Sequence, residues 1–324
     1  MALRSCGDEL AVVDANFSWK RAHVVAKLPQ RFRSAGCGVR VFCGTAELKG
    51  CRTLREVGVV DGGELTIVQT PWLRAVTAAD DSSALVWSAG SGECLRTLAG
   101  HGGHVRAAVF SPDREQVLTA SLDSMAKVWS AATGECLRTL AGHSGEVLSA
   151  SFSSDGERVV TASADRSAKV WSAASGECLL TLAGHRRSVH SAEFSRDGHC
   201  VLTASDDSSA KVWSAAMGEC LLTLAGHRGI VYTAVFCPSG HWVLTASEDW
   251  SAKIWSATSG ECLRTLAGHR CRVYSAVYSS DGQWVLTTSG DRSAKVWAAA
   301  SGECLQTFTG GSRYIPTTAV FEIA

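Results

Sequence analysis

Residues 227–256 read HRGIVYTAVFCPSGHWVLTASEDWSAKIWS, and this stretch decides the fold because each part of it is a short strand or a turn between two. Positions 231–236 are β-branched, aromatic and small, CPSG is a turn, 242–246 form a second strand, SEDW a second turn and 252–255 a third strand. Beyond TSGE, residues 262–266 supply a fourth. Four strands in about 42 residues make one antiparallel meander. The Gly-Glu-Cys that leads into the fourth strand starts at Gly92, Gly134, Gly176, Gly218, Gly260 and Gly302, every step being 42 residues, with no insertion or deletion. A fixed period of that length, Gly-His early and Trp late, is the signature of stacked four-stranded sheets. Function is therefore expected on a surface built by repetition rather than in one catalytic pocket.

Read with strict alternation, Val231, Thr233 and Val235 point to one side of the first strand and Tyr232, Ala234 and Phe236 to the other. Neither side is polar, which fits sheets covered on both faces by their neighbours. Small residues in the first two strands, such as Ser275, Ala276 and Ala246, suit a crowded axis, and the bulky Trp of the third strand suits a wider rim.

These residues resemble the WD-repeat β-propeller family over residues 70–324. The resemblance implies that a His, a Ser or Thr, an Asp and a Trp hydrogen-bond in series and lock each blade. The matching sets are His101, Ser121, Asp123, Trp129; His143, Ser163, Asp165, Trp171; His185, Ser205, Asp207, Trp213; His227, Ser247, Asp249, Trp255; and His269, Ser289, Asp291, Trp297. A buried His needs an acceptor that also fixes its tautomer, and Trp needs somewhere to donate its indole proton. His, Ser and Asp are also the parts of a hydrolase triad, but five copies each tied to a Trp describe a brace rather than a reaction centre. The Asp that usually follows the family's Trp is here Ser, or Ala298 in the last copy.

Upstream, residues 72–87 offer a second and a third strand with Asp81 and Trp87 but with Ala79 in place of the Ser, and no first strand precedes them. Downstream, residues 314–321 (YIPTTAVF) read as a lone first strand. Joined, they make one more blade, so the expectation is an all-β, six-bladed propeller closed by a C-terminal strand. Closure removes sheet edges that would otherwise recruit other chains.

Residues 1–69 lie outside the period. Residues 39–68 (VRVFCGTAELKGCRTLREVGVVDGGELTIV) resemble ubiquitin-like domains, with a strand and turn, a short edge at Leu48, a turn at Arg52-Thr53-Leu54 and a last strand at 65–68. Ser18 caps a helix through Trp19, Val24, Val25 and Leu28 at near-helical spacing, cut by Pro29. The expectation is a small α+β, β-grasp domain with a degenerate first strand, residues 1–6 being short and polar. The family's apolar recognition patch would then map onto Phe42 and Val68.

Thirty-one basic and 31 acidic side chains leave no net field toward nucleic acid or an anionic membrane. No apolar run reaches the roughly 18 residues that span a bilayer, and the start carries no signal-peptide pattern. A cytoplasmic protein, with the nucleus as the other compartment, is expected. Six of 13 cysteines hold one repeat position (Cys94, Cys136, Cys178, Cys220, Cys262, Cys304), too far apart in successive blades to be bridged. They read as small buried residues of an edge strand. Two histidines in HGGH, His101 and His104, are too few for a metal site, and no cofactor motif is present.

Copies this alike allow an internal comparison. One variable position follows the first Val of the first strand (Arg106, Leu148, His190, Tyr232, Tyr274, Pro316), and another precedes the turn Asp (Asp80, Leu122, Ala164, Asp206, Glu248, Gly290). In the family both open on the face of the Gly-His loops. Arg106, His190, Tyr232, Tyr274, Asp206, Glu248 and Trp250 are the expected partner-binding residues, with an acidic and aromatic arc suited to a basic peptide. The function expected is a non-enzymatic interaction scaffold, linked to the ubiquitin pathway through residues 1–69. The alternative is a reader of basic or modified tails with a purely structural N-terminal domain.

Overall fold

The computed structural model describes residues 74–309 and, before them, strands β1 (Ala2–Ser5), β2 (Asp8–Val12), β3 (Cys37–Cys43), β4 (Ala46–Glu47) and β5 (Leu65–Pro71). The chain forms two compact units, one of residues 1–75 and 87–93, the other of residues 76–86 and those from 94 onward. In the first, the strands order as β2-β1-β5-β3-β4, with β1 parallel to β5 and the other pairs antiparallel. A strand at Ala2–Ser5 corrects the expectation that this segment is too short and polar to form one: as a hairpin with β2 it needs only a few paired residues beside β5. The helix expected from Ser18, the turn at 52–54 and the closing strand at 314–321 lie outside the described residues. Register aligns Phe42 with Thr66 and Val68 with Arg40.

The repeat gives five four-stranded antiparallel meanders, at 105–141, 147–183, 189–225, 231–267 and 273–309, preceded by a three-stranded sheet of Arg74–Ala78, Ser83–Ser88 and Cys94–Ala99. We number these blades one to six, the three-stranded sheet first. Among the described residues there is no helix, and none long and apolar enough to cross a membrane.

Each apolar cluster lies between two successive blades. Leu118, Ala120, Val128 and Leu140 of blade two pack with Val147, Val159 and Trp171 of blade three, and the pattern recurs through Leu266 and Trp297 between blades five and six. Trp129, Trp171, Trp213, Trp255 and Trp297 are all at most 2% exposed, so the Trp that reads as a rim residue is an inter-blade core residue. Burying each such side chain contributes roughly 2–3 kcal/mol. Room for it requires glycine: a Cβ on Gly184, whose φ is +157°, would stand 3.1 Å from the Trp213 ring.

Two expectations are corrected. Strict alternation in the first strand fails, because each first strand carries a bulge at its second residue; Val231 and Ala234, three apart, are the buried pair. The repeated cysteines Cys94, Cys136, Cys178, Cys220, Cys262 and Cys304 are exposed free thiols, since the fourth strand is the outer edge of its sheet and no blade covers its first residue.

A buried carboxyl makes one of the inter-blade contacts. Glu193, where other blades carry Val109, Ser151, Val235 and Val277, accepts the Phe236 N–H of the next blade at 2.8 Å. Its carboxyl lies deep although the residue as a whole is half-buried, and burial pushes it up to about 7 from 4.5. The folded chain therefore holds a proton that the unfolded chain releases, and the fold is penalised as pH rises from 4.5 to about 7. Glu193→Gln keeps the acceptor without the ionisation. In urea melts at pH 8 it is expected to gain about 1–2 kcal/mol, screening at a half-buried side chain allowed for, and the gain shrinks toward pH 4.5. A loss at pH 8 would contradict this.

Candidate functional site

Two sets of repeated side chains converge near the Gly-His loops. The first is the brace. The Asp of each turn follows the second strand and is followed by a residue with φ of 65–72° (Ser124, Arg166, Ser208, Trp250, Arg292), because its Oδ1 accepts the N–H two residues on, 3.0 Å from Met125 N in blade two. Its Oδ2 accepts from the His Nδ1 at 2.8, 2.7, 2.8, 2.7 and 3.0 Å in blades two to six. It also accepts the backbone N–H of the residue after the His, at 2.8 Å from Gly102.

The series continues through a residue the sequence reading missed. His Nε2 lies 2.7–2.8 Å from the Oγ1 of Thr119, Thr161, Thr203, Thr245 and Thr287, and the Trp Nε1 donates to the same oxygens at 2.8–2.9 Å. Ser121, Ser163, Ser205, Ser247 and Ser289 stand outside it: each donates to a carbonyl of the Gly-His loop, as Ser121 does to Gly103 at 2.9 Å, and accepts the Asp N–H. The reason is register. Trp129 sits opposite Val117, so Thr119 is its diagonal neighbour on the same face, whereas Ser121 is two residues further along at the strand's end. The sequence carried the signal, since Thr occupies that place in every copy.

Proton positions follow from the carboxylate, which only accepts. His Nδ1–H donates to Asp, so Nε2 of the neutral ring accepts the Thr hydroxyl proton while Thr accepts from Trp. Burial lowers the pKa of His101, His143, His185 and His269 although the Asp partner works to raise it. Burial works to raise Asp165 and Asp207, but hydrogen bonds from Ser167 and His143, and from Ser209, the Arg186 amide and His185, hold both at about 2. Blade one has Asp81 bonded to Ser83 N at 3.0 Å, and its Trp87 is half-buried.

The second set is the variable one. Every first-strand bulge falls on the variable residue (Arg106, Leu148, His190, Tyr232, Tyr274), which is thereby unpaired in the ladder and turned out of it. The second variable position is tied beside it by its own amide, Glu248 N donating to Ile230 O at 2.8 Å and Asp206 N to Ser188 O at 3.0 Å. Asp206 bonds His190 Nε2; the His190 ring meets Tyr232 edge-on at 5.8 Å, and Tyr232 meets Tyr274 at 5.4 Å. Glu248 joins through Arg272, missed by the sequence reading, whose guanidinium is 3.2 Å from the carboxylate and also bonds the Tyr232 hydroxyl. Gly290 permits the close approach at its end, where a Cβ would stand 2.9 Å from Cys271 Sγ and 3.3 Å from Tyr274.

One arc across blades four to six thus holds His190, Asp206, Tyr232, Tyr274, Glu248 and Arg272. Trp250, 55% exposed in a left-handed conformation that bulky residues rarely adopt, stands on the adjoining turn of blade five. Arg106 is exposed on blade two, away from blades four to six; His104 lies 3.6 Å from Asp80. Both carboxylates of the arc are partnered within it, Asp206 with His190 and Glu248 with Arg272. Among the described residues no group of three His, Cys, Asp or Glu could hold a metal.

Comparison with known proteins finds the WD domain, G-beta repeat family at residues 92–130, 134–172, 176–214, 218–256 and 260–298. A stretch of 47 residues, 14% of the chain, is 45% identical to nuclear distribution protein PAC1 of Cryptococcus neoformans var. neoformans serotype D, strain JEC21, and equally to that of strain B-3501A. The match spans 11% of either relative's length.

Proposed function

Because the chain belongs to the WD domain, G-beta repeat family, we propose that it is a non-enzymatic interaction scaffold whose partner docks on the arc of blades four to six. The observation that carries this reading is the continuous line from Asp206 through His190 and Tyr232 to Tyr274, built wholly from positions that vary between otherwise alike repeats. The blade keeps its ladder and its brace without them, so their identities are free to serve recognition. Aromatic rings in edge-on and tilted contact offer large contact area at little entropic cost, with Trp250 as an exposed anchor at the margin. A Lys or Arg of the partner would exchange with Arg272 for Glu248, and for that reason the partner class is a basic peptide segment.

The ring is read as six blades, closed by residues 314–321 pairing beside Arg74–Ala78, and residues 70–324 as the propeller. Residues 1–69 are read as a ubiquitin-like head linking the scaffold to ubiquitin-pathway receptors; a mixed sheet with its last strand between the first and the third supports that. A structural head beside a reader of basic tails is the second reading, favoured by the Glu248–Arg272 pair. The compartment read from the sequence is the cytoplasm.

Replacing Tyr232 and Glu248 by Ala tests the docking site. Both lie outside the inter-blade clusters, so melting should shift little while capture of basic-tailed proteins from lysate falls at least about tenfold, the loss of roughly 1.4 kcal/mol or more. Undiminished capture refutes the site. The same capture with residues 1–69 deleted separates the two readings, since only the first loses ubiquitin-pathway proteins.

A further inference from the structure

We infer that the outer rim of blades three and four is a self-association surface, on which a second copy of this chain pairs edge to edge. The last strand of each blade is an edge of its sheet. In blades one, two and five that edge carries an arginine at the third position. Arg96, Arg138 and Arg264 donate through Nε to the turn carbonyl of the following blade, Ala132, Ala174 and Ala300, at 2.7, 2.7 and 3.0 Å. Through Nη1 each also donates to the carbonyl before it, Leu95, Leu137 and Leu263, at 2.5–2.6 Å. The guanidinium thus caps an edge carbonyl and sets a charge on the edge, both of which discourage another strand from adding there.

Blades three, four and six lack the device; blade six keeps a polar Gln306 at that place, and only blades three and four put an apolar residue there. Leu180 and Leu222 occupy the arginine's place, and both edge strands read CLLTLA, with no charge and no capping donor. Leu179 and Leu221 beside them are 49% and 52% exposed. A third departure falls on the same arc. Met217, 68% exposed, stands in the blade-four turn where Ser91, Thr133, Ser175, Ser259 and Ser301 bond a Glu two residues on. Its neighbour Gly218 lies on blade three, a Cβ there being 3.6 Å from Leu180. Three substitutions, each exchanging a polar or charged repeat residue for an apolar one, coincide on one stretch of rim.

A second copy is the occupant that this surface fits. Two CLLTLA strands run antiparallel across a two-fold axis are self-complementary, each presenting the same unpaired backbone groups and its exposed Leu179 or Leu221 to the other, while Leu180 and Leu222 pack inward. Equal numbers of acidic and basic residues, 31 each, leave no net repulsion between copies. A charged peptide would find no partner on the strands themselves.

The test is sedimentation equilibrium of the full chain beside the Leu180→Arg/Leu222→Arg variant, with Met217→Ser as a second, milder variant. Arginine and serine are native to these positions in other blades, so both proteins should melt like the parent. The parent is expected to reach dimer mass in the micromolar range, and the double arginine variant to weaken association at least about tenfold, with Met217→Ser between them. A parent that stays monomeric at about 100 μM, or an arginine variant that associates as tightly as the parent, overturns the inference.

Discussion

Thr203→Val is expected to destabilise the chain by on the order of 2–5 kcal/mol, more than Ser205→Ala. The two side chains are nearly isosteric, so the change deletes one hydroxyl and little else. That hydroxyl serves two buried partners: it lies 2.7 Å from His185 Nε2 and accepts Trp213 Nε1–H at 2.8 Å, and Trp213 is 1% exposed. Without it an acceptor and a donor are left between blades three and four with no water to replace it. Ser205→Ala, by contrast, removes a staple to a loop carbonyl, Ser188 O at 2.8 Å, with an expected cost of about 1 kcal/mol. Guanidinium melts followed by tryptophan fluorescence decide the order, and a larger loss at Ser205 would restore the series that the sequence alone proposed.

Acid is expected to unfold the propeller cooperatively between about pH 4 and pH 2, with stability already falling below pH 6.5. Burial lowers the pKa of four brace histidines from 6.5, so below that pH the unfolded chain takes up protons that the folded chain refuses. Protonating Nε2 would also break the Thr hydroxyl bond. The carboxylates act in the same direction: Asp165 and Asp207, at about 2 against 3.8, contribute stability that is full above 3.8 and gone below about 2. Each is worth on the order of 1–2 kcal/mol after solvent screening. Among the described residues Glu193 alone opposes them. In the Glu193→Gln chain, where that opposing carboxyl is removed, equal denaturation midpoints at pH 7.5 and pH 5 would show that the histidines are not neutral in the fold.

The 42-residue period reports the blade directly, because one meander is one unit of backbone pairing and any insertion would break the stacking of Trp on the next sheet. The first strand at Val231–Phe236 was legible to its ends, and the others to within a residue. The brace was legible in its His, Asp and Trp but not in its hydroxyl, since Ser121 and Thr119 are both two-residue steps along one face and only the partner strand's register selects between them. The exposed cysteines misled because the composition of a strand does not say whether a neighbour covers it.

Residue order alone thus determined the repeat, the six sheets' alternation of strand and turn, the identity of the varying positions and the neutral charge, all of which are local or compositional. Tertiary structure decided which of those positions meet. Tyr232 and Tyr274 are 42 residues apart in sequence and 5.4 Å apart as rings, Arg272 reaches back 24 residues to Glu248, and the bulge that turns them outward exists only against a paired strand. Contacts between blades depend on how sheets stack across the apolar clusters, and a chain read one residue at a time does not contain that distance.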